Sequence, residues 1–197
     1  DCVAGLLTLG DLVTGDKPLM RAVVMAGGRG KRLDPLTETT PKPMLPVGER
    51  PLLERTIERL RDAGIHRVNI TTHYKPEKIT EYFGDGKTMG MELNYVRETR
   101  PLGTAGAPGL MEAPEEPLLV INGDILTEVD FQAMLVYHLE HEAEMTVAVR
   151  QYDIQIPYGV VECEGTQITG LREKPVHNFF VNAGIYLLQP SVYDYIG

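Results

Sequence analysis

Short unbroken apolar runs alternate along this chain with stripes of apolar residues at helical spacing, the signature of strands and helices taking turns. Arg21 to Met25 is short and valine-rich, fit for a strand buried on both faces. Leu52, Leu53, Ile57 and Leu60 then recur at helical spacing, with Pro51 in the first turn and Gly64 at the C-terminal end. Arg67 to Thr71 reads as a second strand, Pro76 to Phe83 as a helix stopped by Gly84, and Met91 to Val96 as a third strand. Leu118 to Ile121 predicts a fourth strand at the centre of a sheet. Phe131 to His141 puts Phe131, Met134, Leu135 and His138 on one helical face, and Met145 to Val149 returns as a strand. Past Tyr158 the helical spacing ends, and Gly159 to Glu162, Gln167 to Leu171 and Phe180 to Leu188 predict short strands. This alternation predicts an α/β protein with a doubly wound, mostly parallel sheet, and no internal repeat interrupts it.

Composition narrows the picture. At 197 residues and 43% hydrophobic content, the chain is long and apolar enough to bury the core of one α/β domain. A formal charge of −9 argues against nucleic acid or an anionic membrane as a partner, since both attract basic surfaces. Cys2 and Cys163 are far apart and lack nearby Cys–His spacing, which suits free thiols in a reducing cytoplasm. No signal peptide and no apolar run of membrane-spanning length is present. The start at Asp1 without Met reads as an excised piece.

In so acidic a chain, the local concentration of basic residues after the first predicted strand is the candidate chemistry. Ala26-Gly27-Gly28-Arg29-Gly30-Lys31-Arg32-Leu33 joins that strand to a glycine-rich turn. Successive backbone N–H groups in such a turn form an anion nest, and Arg29, Lys31, Arg32 and Lys42 add full positive charge. The dinucleotide pattern fails because Leu33 stands where a third glycine is needed. The Walker A pattern fails because Arg32 stands where Ser or Thr is needed. In an open parallel sheet the residues just past each strand face the ligand, so Asn122-Gly123-Asp124 after the fourth strand is a second place for chemistry.

Gly27 to Leu33, with Pro35-Leu36-Thr37 and Pro41-Lys42-Pro43-Met44, closely resembles the signature of the sugar-1-phosphate nucleotidyltransferases, the nucleotide-sugar pyrophosphorylases. Lys31 departs from that signature, where Thr is usual. Four further segments resemble the family in order: Pro101-Leu102-Gly103-Thr104-Ala105-Gly106, Pro157-Tyr158-Gly159-Val160, Glu173-Lys174-Pro175 and Asn182-Ala183-Gly184-Ile185-Tyr186. The resemblance implies a Rossmann-like three-layer sandwich, glycosyltransferase-A-like, with a mostly parallel central sheet and short β-strands near the C-terminus. It implies transfer of a nucleotidyl group from a nucleoside triphosphate to a hexose 1-phosphate, with Mg²⁺ as cofactor and pyrophosphate as leaving group.

Residue by residue, the resemblance implies that Ala26, Gly27, Gly28, Gly30, Lys31, Arg32, Gly103 and Thr104 bind the nucleotide. Tyr158, Gly159, Glu173, Lys174 and Asn182 would bind the sugar phosphate. Arg32, Lys42 and Asp124 would be catalytic, with Asp124 also the metal ligand. Pro108 and Gly109 depart from the smooth helix expected after Gly103, predicting a later start or a kink. The family's second metal-binding aspartate lies beyond the Asn-Ala-Gly strand and another helix, whereas Asp194 falls on that helix and the chain stops at Gly197; a C-terminal portion is therefore expected to be missing. Residues 1–17 resemble the end of a CBS domain, a linker being the alternative, with the transferase domain over residues 18–197.

Competing constellations are weaker. His138 and His141 lack the His-Glu-x-x-His order, and the spacing predicts one buried and one solvated. Ser191 is the chain's only serine and no Gly-x-Ser-x-Gly elbow exists, which excludes serine-hydrolase chemistry. The CBS-like start leans the reading toward a mannose-1-phosphate guanylyltransferase, with glucose-1-phosphate thymidylyl transfer next. A catalytically silent nucleotide-sugar-binding regulatory domain and a phosphocholine-type cytidylyltransferase are the other readings. The sequence leaves the base and a homo-oligomer open.

Overall fold

The computed structural model describes residues 20–100 and 102–196, so the CBS-like segment lies outside the described residues. In chain order the elements are β1 (Arg21–Met25), the small hairpin β2 (Pro46–Val47) and β3 (Arg50–Pro51), α1 (Leu52–Asp62), β4 (Arg67–Thr72), α2 (Pro76–Phe83), β5 (Glu92–Arg97) and the single turn α3 (Gly103–Gly106). Then follow β6 (Leu118–Asn122), α4 (Phe131–Glu140), β7 (Met145–Gln155), β8 (Val160–Glu164), β9 (Gln167–Arg172) and β10 (Val176–Leu188). The described residues form two units, a larger one up to Thr146 and from Gly184 onward, and a smaller one, Val147–Ala183.

The larger unit is built on a sheet ordered β5-β4-β1-β6-β10-β7. β1 pairs in parallel with β4 and β6, β4 with β5, and β10 runs antiparallel to β6. Leu118 to Ile121 is buried throughout, as a central strand covered on both faces requires. On one face Val23, Leu118, Val120 and Leu188 pack with Met111, just past one short helical turn, and with Val192 and Tyr193 from another. On the other, Ala22, Val24, Leu119, Ile121, Ile185 and Leu187 are buried on the side of α1 and α4, whose ends meet where Gln132 Nε2 donates to Ala63 O at 2.7 Å. Helices on one face and short turns on the other complete the expected layered, mostly parallel arrangement.

Local signals explain most boundaries. Leu52, Leu53, Ile57 and Leu60 are buried as their spacing predicts. Pro51 sits one position earlier than expected, in extended conformation just before α1, and Gly64 takes a left-handed φ of 83° to end it. Asp130 Oδ1 accepts from the N–H groups of Gln132 and Ala133, both at 3.0 Å, and so caps α4. After Gly103 the helix stops within one turn, because Pro108 opens a separate 3₁₀ turn, Pro108–Leu110, with Gly109 inside it.

The C-terminal strands are not all short. β7 has 11 residues and β10 has 13, and each contributes to both units. Within the smaller unit Asn178 Nδ2 donates to Asp153 Oδ1 at 2.7 Å, tying these long strands together. β8 and β9 form an antiparallel hairpin with Gly165 at a φ of 62°. One hairpin face carries the Arg172–Glu162 ion pair at 2.6 Å, the other the exposed apolar residues Val161, Ile168 and Leu171.

Candidate functional site

The chain runs from β1 to β4 on one side and returns to β6 on the other. That reversal leaves a crevice between the carboxyl ends of β1 and β6, where open α/β sheets bind ligands. Gly123 makes the crevice possible: its N–H donates to Met25 O at 2.8 Å, and a Cβ on it would stand 2.9 Å from that oxygen. The result is a cavity of about 700 Å³ lined by residues of the larger unit alone.

The phosphate loop forms one wall. Gly27, Gly28, Gly30, Lys31, Arg32 and Lys42 all line the cavity, together with Gly103 and Asp124. Gly30 adopts a φ of 71° and opens the 3₁₀ turn Lys31–Leu33, a conformation that favours glycine. Thr37, fully buried, pins the loop by donating to Gly30 O at 3.1 Å and Asp34 Oδ1 at 2.7 Å. Ala26 is placed differently from the expectation. It is fully buried and its N–H donates to Thr71 O at 2.9 Å, so the amides available to an anion begin at Gly27. Thr104 lies in the turn α3, beside the cavity-lining Gly103.

Against the loop, Lys42 Nζ donates to Asp124 Oδ2, and both side chains are about one-third exposed. Among the described residues no group of three or more His, Cys, Asp or Glu comes together. Asp124 nevertheless fits a hard divalent cation: it is an accessible carboxylate that already holds one positive group, and Mg²⁺ commonly takes one or two carboxylates plus substrate phosphates and waters.

Two cavity residues, Glu98 and Tyr74, escape the sequence reading of the site. Glu98 is 8% exposed, its Oε2 accepts from Leu102 N–H at 3.4 Å, and its Oε1 lies 3.1 Å from where a Cβ on Gly27 would stand. The same residue's carbonyl accepts from His73 Nδ1 at 2.9 Å, fixing that ring against the cavity wall. Tyr74 donates to Glu38 O at 2.7 Å and lies under the Arg29 guanidinium, 5.5 Å from the ring centroid. Asn122 lies against Gly184, whose φ of 75° and missing Cβ leave room for the Asn122 amide. A signal for Glu98 exists in the sequence, since it follows the third strand as Asp124 follows the fourth.

The expected sugar-phosphate residues Tyr158, Gly159, Glu173, Lys174 and Asn182 all lie in the smaller unit. A Cβ on Gly159 would stand 3.2 Å from Glu173 Oε2, and Lys174 Nζ lies 3.9 Å from Glu173 Oε1, so four of the five share a neighbourhood around the β8 and β9 ends. Lys174 takes a φ of 43° there, and Tyr158 is 74% exposed. Asn182 lies on β10.

His138, His141, Cys163 and Asp194 are not among the residues that line the cavity. His138 is fully buried, bonded through Nδ1 to Thr146 Oγ1 at 2.8 Å, and burial pushes its pKa below the ordinary histidine value. His141 is exposed and stacks on Tyr137 at 4.0 Å between ring centroids, so the two histidines form no metal pair. Cys163 is a free, exposed thiol. Asp194 lies within the 3₁₀ turn Pro190–Tyr195, on a helical segment as expected. Among the described residues no helix is long and apolar enough to cross a membrane.

Comparison with known proteins adds a family and several relatives. Residues 21–197 match the family model described as nucleotidyl transferase. The mannose-1-phosphate guanylyltransferase catalytic subunit beta of Drosophila melanogaster is 38% identical over 185 residues, covering 89% of this chain and 50% of that protein. The D-glycero-alpha-D-manno-heptose 1-phosphate guanylyltransferase of Aneurinibacillus thermoaerophilus is 34% identical over 178 residues, covering 89% and 77%. Among solved structures, a Bacillus anthracis protein assigned as a glucose-1-phosphate thymidylyltransferase superposes with a TM-score of 0.71 at 27% identity, covering 89% and 74%. The chain spans about half the length of the mannose-1-phosphate guanylyltransferases that it matches.

Proposed function

Because the chain belongs to the nucleotidyl transferase family, we propose that it transfers a guanylyl group from GTP to a mannose-1-phosphate-like hexose 1-phosphate and releases pyrophosphate. The observation that carries the choice of base is Glu98. The oxygens of a carboxylate accept hydrogen bonds, and this one stands at the cavity wall in a largely buried position. Guanine offers it two adjacent donors, N1–H and the 2-amino group. Thymine and uracil offer one N–H between two carbonyl oxygens, which would set an acceptor against an acceptor. Leaving such a buried group unmatched is what makes polar discrimination strong. The names of the two guanylyltransferase relatives point the same way.

The reaction needs alignment and charge compensation more than acid–base chemistry. An oxygen of the sugar phosphate attacks the α-phosphorus in line, the bond to the β-phosphate bridging oxygen breaks, and its electron pair leaves with pyrophosphate. No general base is required, because a phosphate monoester is already largely dianionic near neutral pH. Arg32, helped by Lys31, offsets the triphosphate charge and the charge growing on the leaving group, while backbone amides from Gly27 onward orient the phosphates. Lys42 serves the α-phosphate and Lys174 the incoming sugar phosphate, with Tyr158, Gly159, Glu173 and Asn182 taking the sugar. Bound Mg²⁺ would supply charge neutralisation at the phosphate oxygens, and Asp124 is the residue that would hold it. A donor made from nucleoside triphosphates fits a cytoplasmic setting.

The test is pyrophosphate release over a matrix of GTP, dTTP, UTP and CTP against mannose 1-phosphate, glucose 1-phosphate and phosphocholine. GTP with mannose 1-phosphate is expected to exceed the pyrimidine nucleotides by roughly tenfold or more in kcat/KM. Faster turnover of dTTP with glucose 1-phosphate would transfer the assignment to thymidylyl transfer, and CTP with phosphocholine to cytidylyl transfer. Tight binding of nucleotide-sugars with no turnover of any pair would instead make the chain a binding domain.

A further inference from the structure

We propose that Lys42 is a built-in competitor for the cation at Asp124, and that a metal-bound triphosphate carries the Lys42 ammonium from the carboxylate to the phosphate. This rests on the reading of Asp124 as the cation-holding carboxylate of a nucleotide site. The ammonium donates to Oδ2 of Asp124 and both groups line the cavity, so the carboxylate is engaged before any ligand arrives. Neither side chain is deeply buried, which lets the pair open and close without exposing core. A Cβ on Gly30 would stand 2.9 Å from Lys42 Cβ, so the phosphate loop rests directly on the lysine stem. An anion settling on that loop therefore finds the ammonium within its reach.

The physical consequence is an exchange of partners. In the absence of ligand, the ammonium satisfies the carboxylate and weakens its hold on a free divalent cation. With a triphosphate in the loop, the ammonium gains phosphate oxygens and the carboxylate is released to the metal. Metal and nucleotide then help one another, and by linkage the enhancement is equal in both directions.

Mn²⁺ in place of Mg²⁺ allows a direct test, because free Mn²⁺ is counted by its electron paramagnetic resonance signal. Without nucleotide, Lys42→Gln is expected to tighten Mn²⁺ binding roughly tenfold, the size of effect an adjacent unit charge has on a carboxylate. Lys42→Arg, which keeps the charge, should bind Mn²⁺ as weakly as the parent protein. Lys31→Gln, which removes a charge from the same cavity without touching Asp124, should change Mn²⁺ affinity far less than Lys42→Gln. Adding Asp124→Asn to Lys42→Gln should abolish the gain, and Lys42→Gln should lose most of the mutual enhancement between Mn²⁺ and GTP.

Unchanged or weaker Mn²⁺ binding in Lys42→Gln, with a parent-like melting temperature, would overturn the exchange. So would an equal gain in Lys31→Gln. Should Lys42→Gln fail to fold, Asp124→Asn tests the pair from the other side: with EDTA present it should bind metal-free GTP more tightly than the parent, and no gain would overturn the proposal. Failure of the parent chain to bind GTP with Mn²⁺ at all would strike the nucleotide-site reading itself, a result distinct from the others.

Discussion

The larger and smaller units use β-structure in opposite ways. In the larger unit, β6 buries Leu118 to Ile121 on both faces, and the cavity sits where buried strands end. In the smaller unit, the β8–β9 hairpin keeps its apolar residues exposed, with Ile168 at 71%. Residues expected to hold the nucleotide are therefore placed by a packed core, while four of the five expected to hold the sugar phosphate, Tyr158, Gly159, Glu173 and Lys174, lie on bends and loops between strands. A site on rigid strand ends can be preorganised; a site on an exposed hairpin takes its geometry from local backbone, as the positive φ of Lys174 illustrates.

That contrast breaks most visibly in stability. Leu119→Ala, at a fully buried position of the central strand, should cost about 2–5 kcal/mol in urea unfolding. Ile168→Ala in the hairpin should stay within about 0.5 kcal/mol. Comparable losses at the two positions would remove the distinction between the units.

Function should divide along the same line with the next largest effect. Lys174→Ala is expected to raise the KM for the sugar phosphate by roughly tenfold to a hundredfold, the equivalent of one charged hydrogen bond, with no change in melting temperature. The KM for GTP should stay where it is. A change confined to GTP would place Lys174 in the wrong half of the reaction.

The smallest effect is a pH dependence that belongs to the larger unit. Burial holds His138 below its ordinary value of 6.5, so in the window below that pH the unfolded chain binds a proton that the folded chain refuses. Stability should therefore be flat in this contribution above pH 6.5 and fall as the pH drops toward the lowered folded value. Thermal melts should show that fall in the parent and less of it in His138→Gln, and identical profiles would contradict the assignment.

The same contrast explains what the sequence revealed. β1, α1 and α2 were legible because burial on one side, or on both, leaves a periodic apolar record, with Gly64 and Gly84 marking the stops. β7 and β10 were expected shorter, because their exposed stretches mix apolar and polar residues without regular alternation. The phosphate loop and Asp124 were legible through motif and strand-end position. Glu98 shares that strand-end position but belongs to no motif quoted for the site, and the parallel pairing of β4 with β5, continued by Glu98 N–H to Thr72 O at 2.8 Å, turns it inward. The family resemblance includes Ala26 among the nucleotide-binding residues, but the motif does not reveal that its amide is already engaged by Thr71.

Binding of the metal complexes of GTP, dTTP and UTP to the parent chain and to Glu98→Gln, measured by calorimetry, tests the central claim most directly. A glutamine presents one donor and one acceptor where the carboxylate presents two acceptors. The account predicts that the parent prefers GTP by roughly tenfold or more, and that Glu98→Gln loses that preference while gaining affinity for the pyrimidine nucleotides. A parent chain that binds dTTP or UTP as tightly as GTP, or a Glu98→Gln variant that keeps the GTP preference intact, would contradict it.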